Sequence, residues 1–487
     1  MNKQIDPPPE FGIPAEEWEQ TPKSVRVAFM ILCQQVEQLK EQMADLREQV
    51  NRNSKNSSQP PSSDGPGKQV DKKKTRSRKK RGGQKGHEGH RRELIPIEEV
   101  NEIVPHKPEQ CAGCGTKLEG EDPEPYRYQV SELPPVKPHV TEHQVHKIIC
   151  PCCGEENRGE LPPEVGISQF GPNLVALIVL LMGVYRLSKR QVKSLLKDCF
   201  GIDMSASSVI NQQNAVSKAL KTPVTEACTY VQEQAVKNVD ETGWYQQDQE
   251  KKGWLWVVVT PMVTVFKVAK SRAGKIAKEL LGEDSRGIVG SDRYSAYSWL
   301  ANILRQICWA HLLRDFQKIL ERGGASAVVG GYLRQEGEDL LALWARVRDG
   351  PLPHADFLAK LPSIQNHIRL WLTVGAACSH AKTSRTCRRI LKIETALWTF
   401  TTHPDVEPTN NSAERALRKA VIWRRISYGT QSDAGSRFVE RILTVVETCR
   451  QQDRNPLEYL RYTVVAHRTG QPVPSLLPED QMVFLTP

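Results

Sequence analysis

Between Ala235 and Asp292 the chain alternates apolar runs with turn signals in an order that few folds accommodate. Ala235-Val-Lys-Asn-Val239 is apolar and β-branched and ends at Asp240. Trp254-Leu-Trp-Val-Val-Val259 and Val263-Thr-Val-Phe-Lys-Val268 follow, split by Thr260-Pro-Met262, which is a hairpin pattern. Ser271 to Leu281 carries Ile276, Leu280 and Leu281 at helical spacing and is stopped by Gly282. Gly287-Ile-Val-Gly-Ser291 is a further strand and ends at Asp292. Strand, hairpin, helix, strand predicts a mixed sheet whose first and fourth strands are adjacent, which would bring Asp240 and Asp292 together.

A third carboxylate, Glu414, opens an amphipathic helix just after Asn410-Asn-Ser412. Two Asp at strand ends and a Glu on a later helix can hold a pair of Mg²⁺ ions about 3.5–4 Å apart. One ion activates an attacking oxygen and the other stabilises the leaving oxygen of a phosphodiester. Three acids among 57 will fall beside strands by chance often enough, so the surroundings decide. Those surroundings resemble a ribonuclease-H-type fold. Between His311 and Glu394 the pattern is helical throughout: Leu312, Leu313, Phe316 and Leu320, then Leu340, Leu341, Trp344 and Val347, then Ile368, Trp371 and Leu372. This reads as an all-helical insertion between the second Asp and the Glu. Cys308 and His311 at its root look like half a metal site. No partner pair lies nearby in sequence, which favours packing or a supporting role for His311.

The cysteines give the cleanest local signal. Cys111-Ala-Gly-Cys114-Gly115 and Cys150-Pro-Cys-Cys153-Gly154 are two copies of one pattern, a spaced pair followed by Gly. Four thiolates in tetrahedral array suit one structural Zn²⁺. The long intervening stretch favours a zinc ribbon or knuckle with a β-rich insert over a helix-presenting finger. Cys152 reads as a spectator, with substitution for Cys153 as the alternative.

Two further segments bear on partners. Val25, Phe29, Leu32, Val36, Leu39, Met43, Leu46 and Val50 alternate spacings of four and three, the pattern of a coiled coil over 25–50. From Lys68 to Arg92 there are 12 Lys or Arg against two acids, a surplus equal to the net charge of +10 of the whole chain. Gly-rich and nearly devoid of large apolar side chains, this arm is expected to be disordered when free. Lys72, Lys73, Lys74, Arg76, Arg78, Lys79, Lys80 and Arg81 are its candidate contacts to DNA phosphates, adding affinity with little sequence discrimination. The alternative is a solvated linker.

From Gly171 to Leu220 three helices are expected. Pro172 to Tyr185 is mostly apolar, Ser188 caps Lys189 to Phe200, Gly201-Ile-Asp-Met makes a turn, and Ser205 caps the next helix. This fits a helix-turn-helix with Ser207, Ser208, Asn211, Gln212 and Gln213 in a major groove, or equally a plain helical bundle.

Taken together, Asp240-Glu-Thr-Gly-Trp244, Ser291-Asp-Arg-Tyr-Ser-Ala-Tyr297, Cys308-Trp-Ala-His311 and Asn410-Asn-Ser-Ala-Glu-Arg-Ala-Leu-Arg418 resemble motifs of bacterial DDE transposases of the insertion-sequence-sixty-six type. Upstream, Asn56-Ser-Ser-Gln-Pro-Pro-Ser-Ser-Asp64, Gly82-Gly-Gln-Lys-Gly-His-Glu-Gly-His90 and the cysteine pairs extend the resemblance, in the family's order, over residues 25–460. Lys85 departs from it, where the family pattern leads one to expect proline. The resemblance implies Asp240, Asp292 and Glu414 as a catalytic triad holding two Mg²⁺, with Mn²⁺ as a substitute. It implies cutting at the terminal inverted repeats of a transposon and joining to target DNA, and it suggests accessory proteins encoded by the same element. Arg415 and Arg418 share the Glu414 helix and are candidates for phosphate contact.

The expectation is therefore a multidomain α+β protein. It comprises an N-terminal segment (1–52) with the coiled coil, a basic linker (53–105), a zinc module (106–160) and a helical, helix-turn-helix-like domain (161–228). A ribonuclease-H-like α/β catalytic core in two parts (229–311 and 395–460) surrounds the helical insertion (312–394), and a tail follows (461–487). A DNA-binding protein that keeps this fold without chemistry is the alternative, and a nuclease with no joining step is a third class. The intact triad argues against the former, and the arm, zinc module and heptad argue against the latter. The polar Met1-Asn-Lys-Gln-Ile-Asp-Pro-Pro-Pro-Glu10 is no signal peptide, and the longest apolar run, Leu174 to Tyr185, is too short to span a bilayer. A cytoplasmic protein, nucleoid-associated when bound to DNA and without membrane contact, is expected. Its 12 cysteines are then reduced and serve as ligands or core residues.

Joining requires two ends to be brought together, so one chain per end implies a homodimer or higher assembly, with the heptad as the pairing element. Replacing both Leu32 and Leu39 with Lys places charge in the seam and is expected to give monomers in sedimentation analysis. Wild-type sedimentation of that variant would move the pairing surface elsewhere.

Overall fold

The computed structural model describes residues 14–51, 57, 93–162, 165, 168–246 and 253–478. The cationic arm residues from Lys72 to Arg81 lie outside these, as does most of the linker. The architecture is mixed α+β. Two compact units are distinguished, one of Met1–Lys68, His143–Lys193 and Met204–Pro487, the other of Gln69–Glu142 and Ser194–Asp203.

Helix α1 (Ala15–Gln20) precedes α2 (Lys23–Asn51), which carries the heptad. Trp18 of α1 is buried and meets Phe29 of α2 edge-on, with ring centroids 5.8 Å apart. Thus Phe29 of the apolar stripe is partly covered within the chain, whereas Val25 is exposed. Leu32, Val36, Leu39, Met43, Leu46 and Val50 stay exposed.

Strands β1 (Lys147–Ile149) and β2 (Glu156–Arg158) form a short antiparallel hairpin. Then come α3 (Pro172–Gly183), α4 (Lys189–Phe200), α5 (Ala206–Ala219) and α6 (Lys221–Glu233). Capping follows the sequence signals. The Gln191 amide donates to Ser188 Oγ at 3.3 Å, and the Ser188 amide donates to Gln191 Oε1 at 2.8 Å, a reciprocal capping pair. Ser205 Oγ accepts from the Ser208 amide at 3.0 Å. One expectation changes: Gln213 is buried, and only Ser207 and Asn211 of the five groove candidates are fully exposed. The reason is that α5 spends its other face on packing, and Arg441 from a later helix donates to the Ser217 carbonyl at 2.7 Å. No described helix is long and apolar enough to cross a membrane.

The central sheet contains β3 (Val236–Trp244), β4 (Gly253–Val259), β5 (Thr264–Ala269), β6 (Ile288–Ser291) and β7 (Arg305–Ile307), with α7 (Gly274–Leu281) between β5 and β6. Its order is β5-β4-β3-β6-β7. The β3–β6 and β6–β7 pairs are parallel and the others antiparallel. First and fourth strands are adjacent, as the pattern predicts. β7, three residues long, adds an edge the apolar pattern does not announce, since two of its residues are the buried Arg305 and Gln306.

The insertion comprises α8 (Trp309–Leu320), α9 (Gly324–Arg348), α10 (His354–Ala376) and α11 (Ala381–Leu391). Its core of Trp309, Leu312, Phe316, Val329, Leu333, Phe357 and Ile368 is continuous with Ile288 and Ile307 of the sheet. Helices α8 and α9 cross at Gly330, where a Cβ would lie 2.3 Å from the Leu320 backbone nitrogen, so only glycine permits this approach.

Finally α12 (Asn411–Ser427), α13 (Asp433–Gln451) and α14 (Pro456–Thr469) close the fold. Helix α13 seals the edge strand β5: the amides of Thr264, Phe266 and Val268 donate to Thr448 Oγ1, Thr444 Oγ1 and Glu440 Oε2 at 3.1, 3.0 and 3.0 Å. Acceptors four apart on a helix thus match donors two apart on a strand, and an otherwise open edge is satisfied. α14 runs through the expected boundary at 460 and packs on α3, and beyond it Leu476 and Leu477 are buried.

Candidate active site

The parallel register aligns the two aspartates. Val236, Lys237 and Asn238 of β3 pair with Ile288, Val289 and Gly290 of β6, so Asp240 and Asp292 each stand two residues beyond the Asn238–Gly290 pair. Neighbouring strands are about 4.8 Å apart, which puts both acids at one level of the sheet. Gly290 permits this, since a Cβ there would lie 2.4 Å from Asn238 Oδ1. Asp292 follows β6 directly, as expected. Asp240 differs from expectation: β3 continues through it to Trp244, and it pairs with Val257 in mid-strand.

Continuation of β3 depends on Glu241, whose side chain points the other way and is buried. Arg272 Nε donates to Glu241 Oε1 at 2.7 Å, and Tyr297 Oη donates to Glu241 Oε2. The Arg272 guanidinium lies 3.8 Å over the Tyr294 ring and 4.7 Å over the Trp254 ring. This cluster ties the strand bearing Asp240 to the segment after Asp292.

Glu414 lies in the first turn of α12, where the helix dipole favours a negative charge. Its placement rests on Asn410, which is buried. Asn410 Nδ2 donates to the Val239 carbonyl at 2.7 Å, and the Asn410 amide donates to Cys308 Sγ at 3.2 Å. The Cys308 amide in turn donates to the Ser291 carbonyl at 2.9 Å, and the Trp309 amide to the Pro408 carbonyl at 3.0 Å. So the residue before Asp240, the residue before Asp292 and the cap of the Glu414 helix are joined in one chain of hydrogen bonds.

Helix α8 leans on the same carboxylate. Arg314 Nη2 donates to Glu414 Oε1 at 3.2 Å, and His311 Nδ1 is 3.4 Å from that oxygen. Arg293 Nε donates to Asp315 Oδ2 at 2.9 Å, clamping the loop after Asp292 to α8. Arg415 and Arg418 are exposed on α12.

The electrostatics are those of crowded carboxylates. Burial, then the charges of Glu241, Asp292 and Glu414, raise the Asp240 carboxyl well above its ordinary value. Burial also raises Asp292, opposed by the Tyr294 amide and Arg272. Burial and then the charge of Arg314 push His311 down to about 3, so its imidazole is neutral.

Among the described residues, the ligand atoms of Cys308, His311 and Glu414 lie within 4.8 Å of one another. Burial pushes the Cys308 thiol up to about 11, and its sulfur already accepts the Asn410 amide. A protonated, engaged thiol is a poor metal ligand. The thiol is engaged with the Asn410 amide, and His311 Nδ1 stands beside Glu414 at 3.4 Å.

The two cysteine turns, in different units, share one local geometry. The Cys111 amide donates to the Thr116 carbonyl at 2.9 Å, and the Cys150 amide to the Glu155 carbonyl at 2.8 Å. The Gly115 and Gly154 amides donate back to the carbonyls of Cys111 and Cys150, both at 2.9 Å, and both glycines have φ of 75°. Cys114 and Cys153 are exposed at the turn ends, and Cys111 and Cys150 are half-buried.

Sequence reasoning missed Asn410, Arg314 and the Glu241–Arg272–Tyr297 cluster. All lie inside or beside motifs it quoted, and only the long-range contacts reveal what they do.

Removing the Asn410 side chain leaves the buried Val239 carbonyl without its donor. Asn410→Ala is expected to cost about 1–3 kcal/mol and lower the calorimetric midpoint by several degrees. Asn410→Asp, which keeps the shape without the donor, should behave alike; unchanged midpoints in both would deny Asn410 this role.

The model of a family described as "Transposase IS66 family" matches residues 167–437, more than half of the chain. A family of unknown function matches residues 6–93. Similar proteins include the uncharacterized protein y4qI of Sinorhizobium fredii, 27% identical over 245 residues, or 45% of each chain. The uncharacterized protein y4hP of the same organism is 25% identical over 419 residues, 78% of this chain and 74% of that one. The chain thus spans under half the length of the former relative and about three quarters of the latter.

Proposed function

This chain belongs to the transposase IS66 family, and on that footing we propose that it cuts DNA at transposon ends and joins the cut strands to target DNA at Asp240, Asp292 and Glu414. The observation that carries this reading is the register of β3 against β6, with the Asn410 tether setting the Glu414 helix against the same strand ends. In this reading the sheet is the core of a ribonuclease-H-like domain, and α8 to α11 are its insertion.

The donor set fits Mg²⁺ or Mn²⁺. Three carboxylates supply hard oxygen ligands, and the upward displacement of Asp240 and Asp292, caused first by burial and at Asp240 also by neighbouring carboxylates, is one that divalent cations would offset. Two such ions would activate the attacking oxygen and stabilise the leaving one. The protein's own part is positional. Asn410 and Cys308 fix where the carboxylates start, and Arg272 pairs with the neighbouring Glu241. His311 and Arg314 steady Glu414, while Arg415 and Arg418 on the same helix face the DNA phosphates.

We also read the two cysteine turns as ligand pairs for one structural Zn²⁺, from their spacing and from the turn that each forms by itself. The exposed stripe of α2 from Leu32 to Val50 is read as the seam with a second copy of the chain. The terminal repeats and target DNA are the proposed partners.

Asp240→Asn, Asp292→Asn and Glu414→Gln each remove a charged ligand and keep the shape. Each is expected to abolish Mg²⁺- or Mn²⁺-dependent nicking of end-bearing DNA while binding stays nearly intact. Nicking at the wild-type rate by the Asp292 variant would sink the triad.

Metal analysis of the full chain, purified under reducing conditions without chelator, is expected to give about one Zn²⁺ per chain. Cys111→Ser should lose the metal and sensitise residues 106–158 to proteolysis, since site formation and folding are coupled. A metal content near zero would refute the assignment.

A further inference from the structure

Helix α11 and its C-cap carry Lys382, Arg385, Arg388, Arg389 and Lys392, with no acid between Ala381 and Lys392. The register of this helix is fixed from its inner side. Thr383, Ser384, Cys387 and Ile390 are buried. Ser384 Oγ donates to the Ala376 carbonyl of α10 at 2.7 Å, and Arg322 Nη1 donates to Thr383 Oγ1 at 3.0 Å. The opposite face must then present the five cations, which lie outside the buried set. Together with Ala381 and Ser384, four of them line a shallow groove of about 410 Å³.

Among the described residues no carboxylate pairs with any of the five. The acid that follows, Glu394, is held by Arg369 of α10 at 2.7 Å. Like charges three and four apart disfavour a helix, so this face is electrostatically incomplete by itself. An anionic partner would complete it.

We propose that the cationic face of α11 binds the phosphate backbone of duplex DNA. The proposal rests on the strand-cutting reading above only in its choice of anion. At about 1.5 Å per residue, Lys382 to Lys392 spans about 15 Å, the rise of about four nucleotides of one strand. Three of the five are Arg, whose planar fork suits phosphate oxygens. The face holds no exposed large apolar side chain to insert into a lipid surface or to anchor an acidic peptide. Recognition of this kind reads charge rather than base sequence. It is distinct from the arm before residue 93 and from Arg415 and Arg418.

The test uses the full chain and two fluorescent duplexes, one bearing a transposon end and one unrelated, titrated over a salt series. Replacing Arg385, Arg388 and Arg389 together by Ala is expected to weaken binding to both duplexes alike, by about tenfold or more at low salt. The slope of log affinity against log salt should flatten by about 0.9 for each phosphate that is no longer neutralised. Changing the same three to Lys should keep most of the slope, and an unchanged melting temperature would confirm that the exposed substitutions leave the fold intact. A chain lacking Lys68 to Arg92 should weaken independently, so that the two effects add. Wild-type affinity and slope in the Ala variant would overturn the proposal. So would binding to anionic phospholipid vesicles that depends on the three arginines when DNA binding does not. If the wild type binds through these arginines but never cuts, the α11 surface stands and the strand-cutting reading fails. If it cuts normally and the Ala variant keeps the slope, only the α11 surface fails.

Discussion

The site depends first on one buried amide. Asn410 reaches the Val239 carbonyl with its side chain and Cys308 Sγ with its backbone, and Cys308 reaches the Ser291 carbonyl. Three segments far apart in sequence are thereby fixed against one another, each one step from a carboxylate or its helix. A hydrogen bond of this kind contributes little net stability where both partners could find water. Buried as these are, each is costly to leave unmade, so the arrangement is held by the penalty of breaking it. That penalty opposes the cost of burying Asp240 and Asp292 as charged groups. The carboxylates stay crowded because the backbone that carries them has nowhere else to satisfy its polar groups.

The sheet under the site is stiffened at both margins by side chains acting for a missing strand. On one margin, Thr448, Thr444 and Glu440 of α13 accept the outward amides of β5. On the other, Gln306 of β7 accepts the Phe400 amide at 2.8 Å and donates to the Leu397 carbonyl at 3.2 Å. An edge strand with free donors is both a template for pairing and a place for the sheet to fray. Closing both edges from helical and turn segments leaves the sheet to serve as a fixed platform. It also explains why α13 and α14 form one packed layer with α3 and α5, although the sequence pattern assigns them to separate domains.

Strand order was legible because periodicity and turn residues are local signals, and the adjacency of first and fourth strands follows from them. The extent of β3 was not. Asp240-Glu-Thr-Gly reads as a strand exit by propensity, yet pairing with β4 through Gly253 and neutralisation of Glu241 by Arg272 and Tyr297 carry the strand on. Helix starts at Ser188 and Ser205 were legible from their capping chemistry. Which face of α5 meets solvent was not, because it is decided by the helices packed on α5, among them α13, more than two hundred residues away. The cations of α11 were plain in the sequence as residues but not as a surface. Only the burial of Thr383, Ser384, Cys387 and Ile390 turns a basic helix into a one-sided one. Charge composition says how much charge a segment has; packing says where it points.

The insertion then has two tasks that its packing makes inseparable. At its root α8 brings Arg314 and His311 to Glu414, and Asp315 to Arg293 beside Asp292. At its far end α11 displays the unpaired cations. Between them runs one apolar core that includes Ile390 of α11, Phe316 of α8 and Ile288 of β6, and the buried hydroxyls of Ser326 and Thr383, 2.8 Å apart, pin α9 to α11 beside it. The α8–α9 crossing at Gly330 brings backbone against backbone and leaves no slack there. A close-packed core transmits displacement rather than absorbing it. In the proposed reaction, a duplex held on α11 would therefore be held at a fixed offset from Asp292 and Glu414, without a hinge between the contact that reads charge and the carboxylates that face the scissile phosphate. An insertion that only filled space between the second and third acids would need neither the arginine ridge nor the ion pairs at its root. Having both, it would act in the proposed reaction as an arm from the carboxylates to the backbone of the DNA.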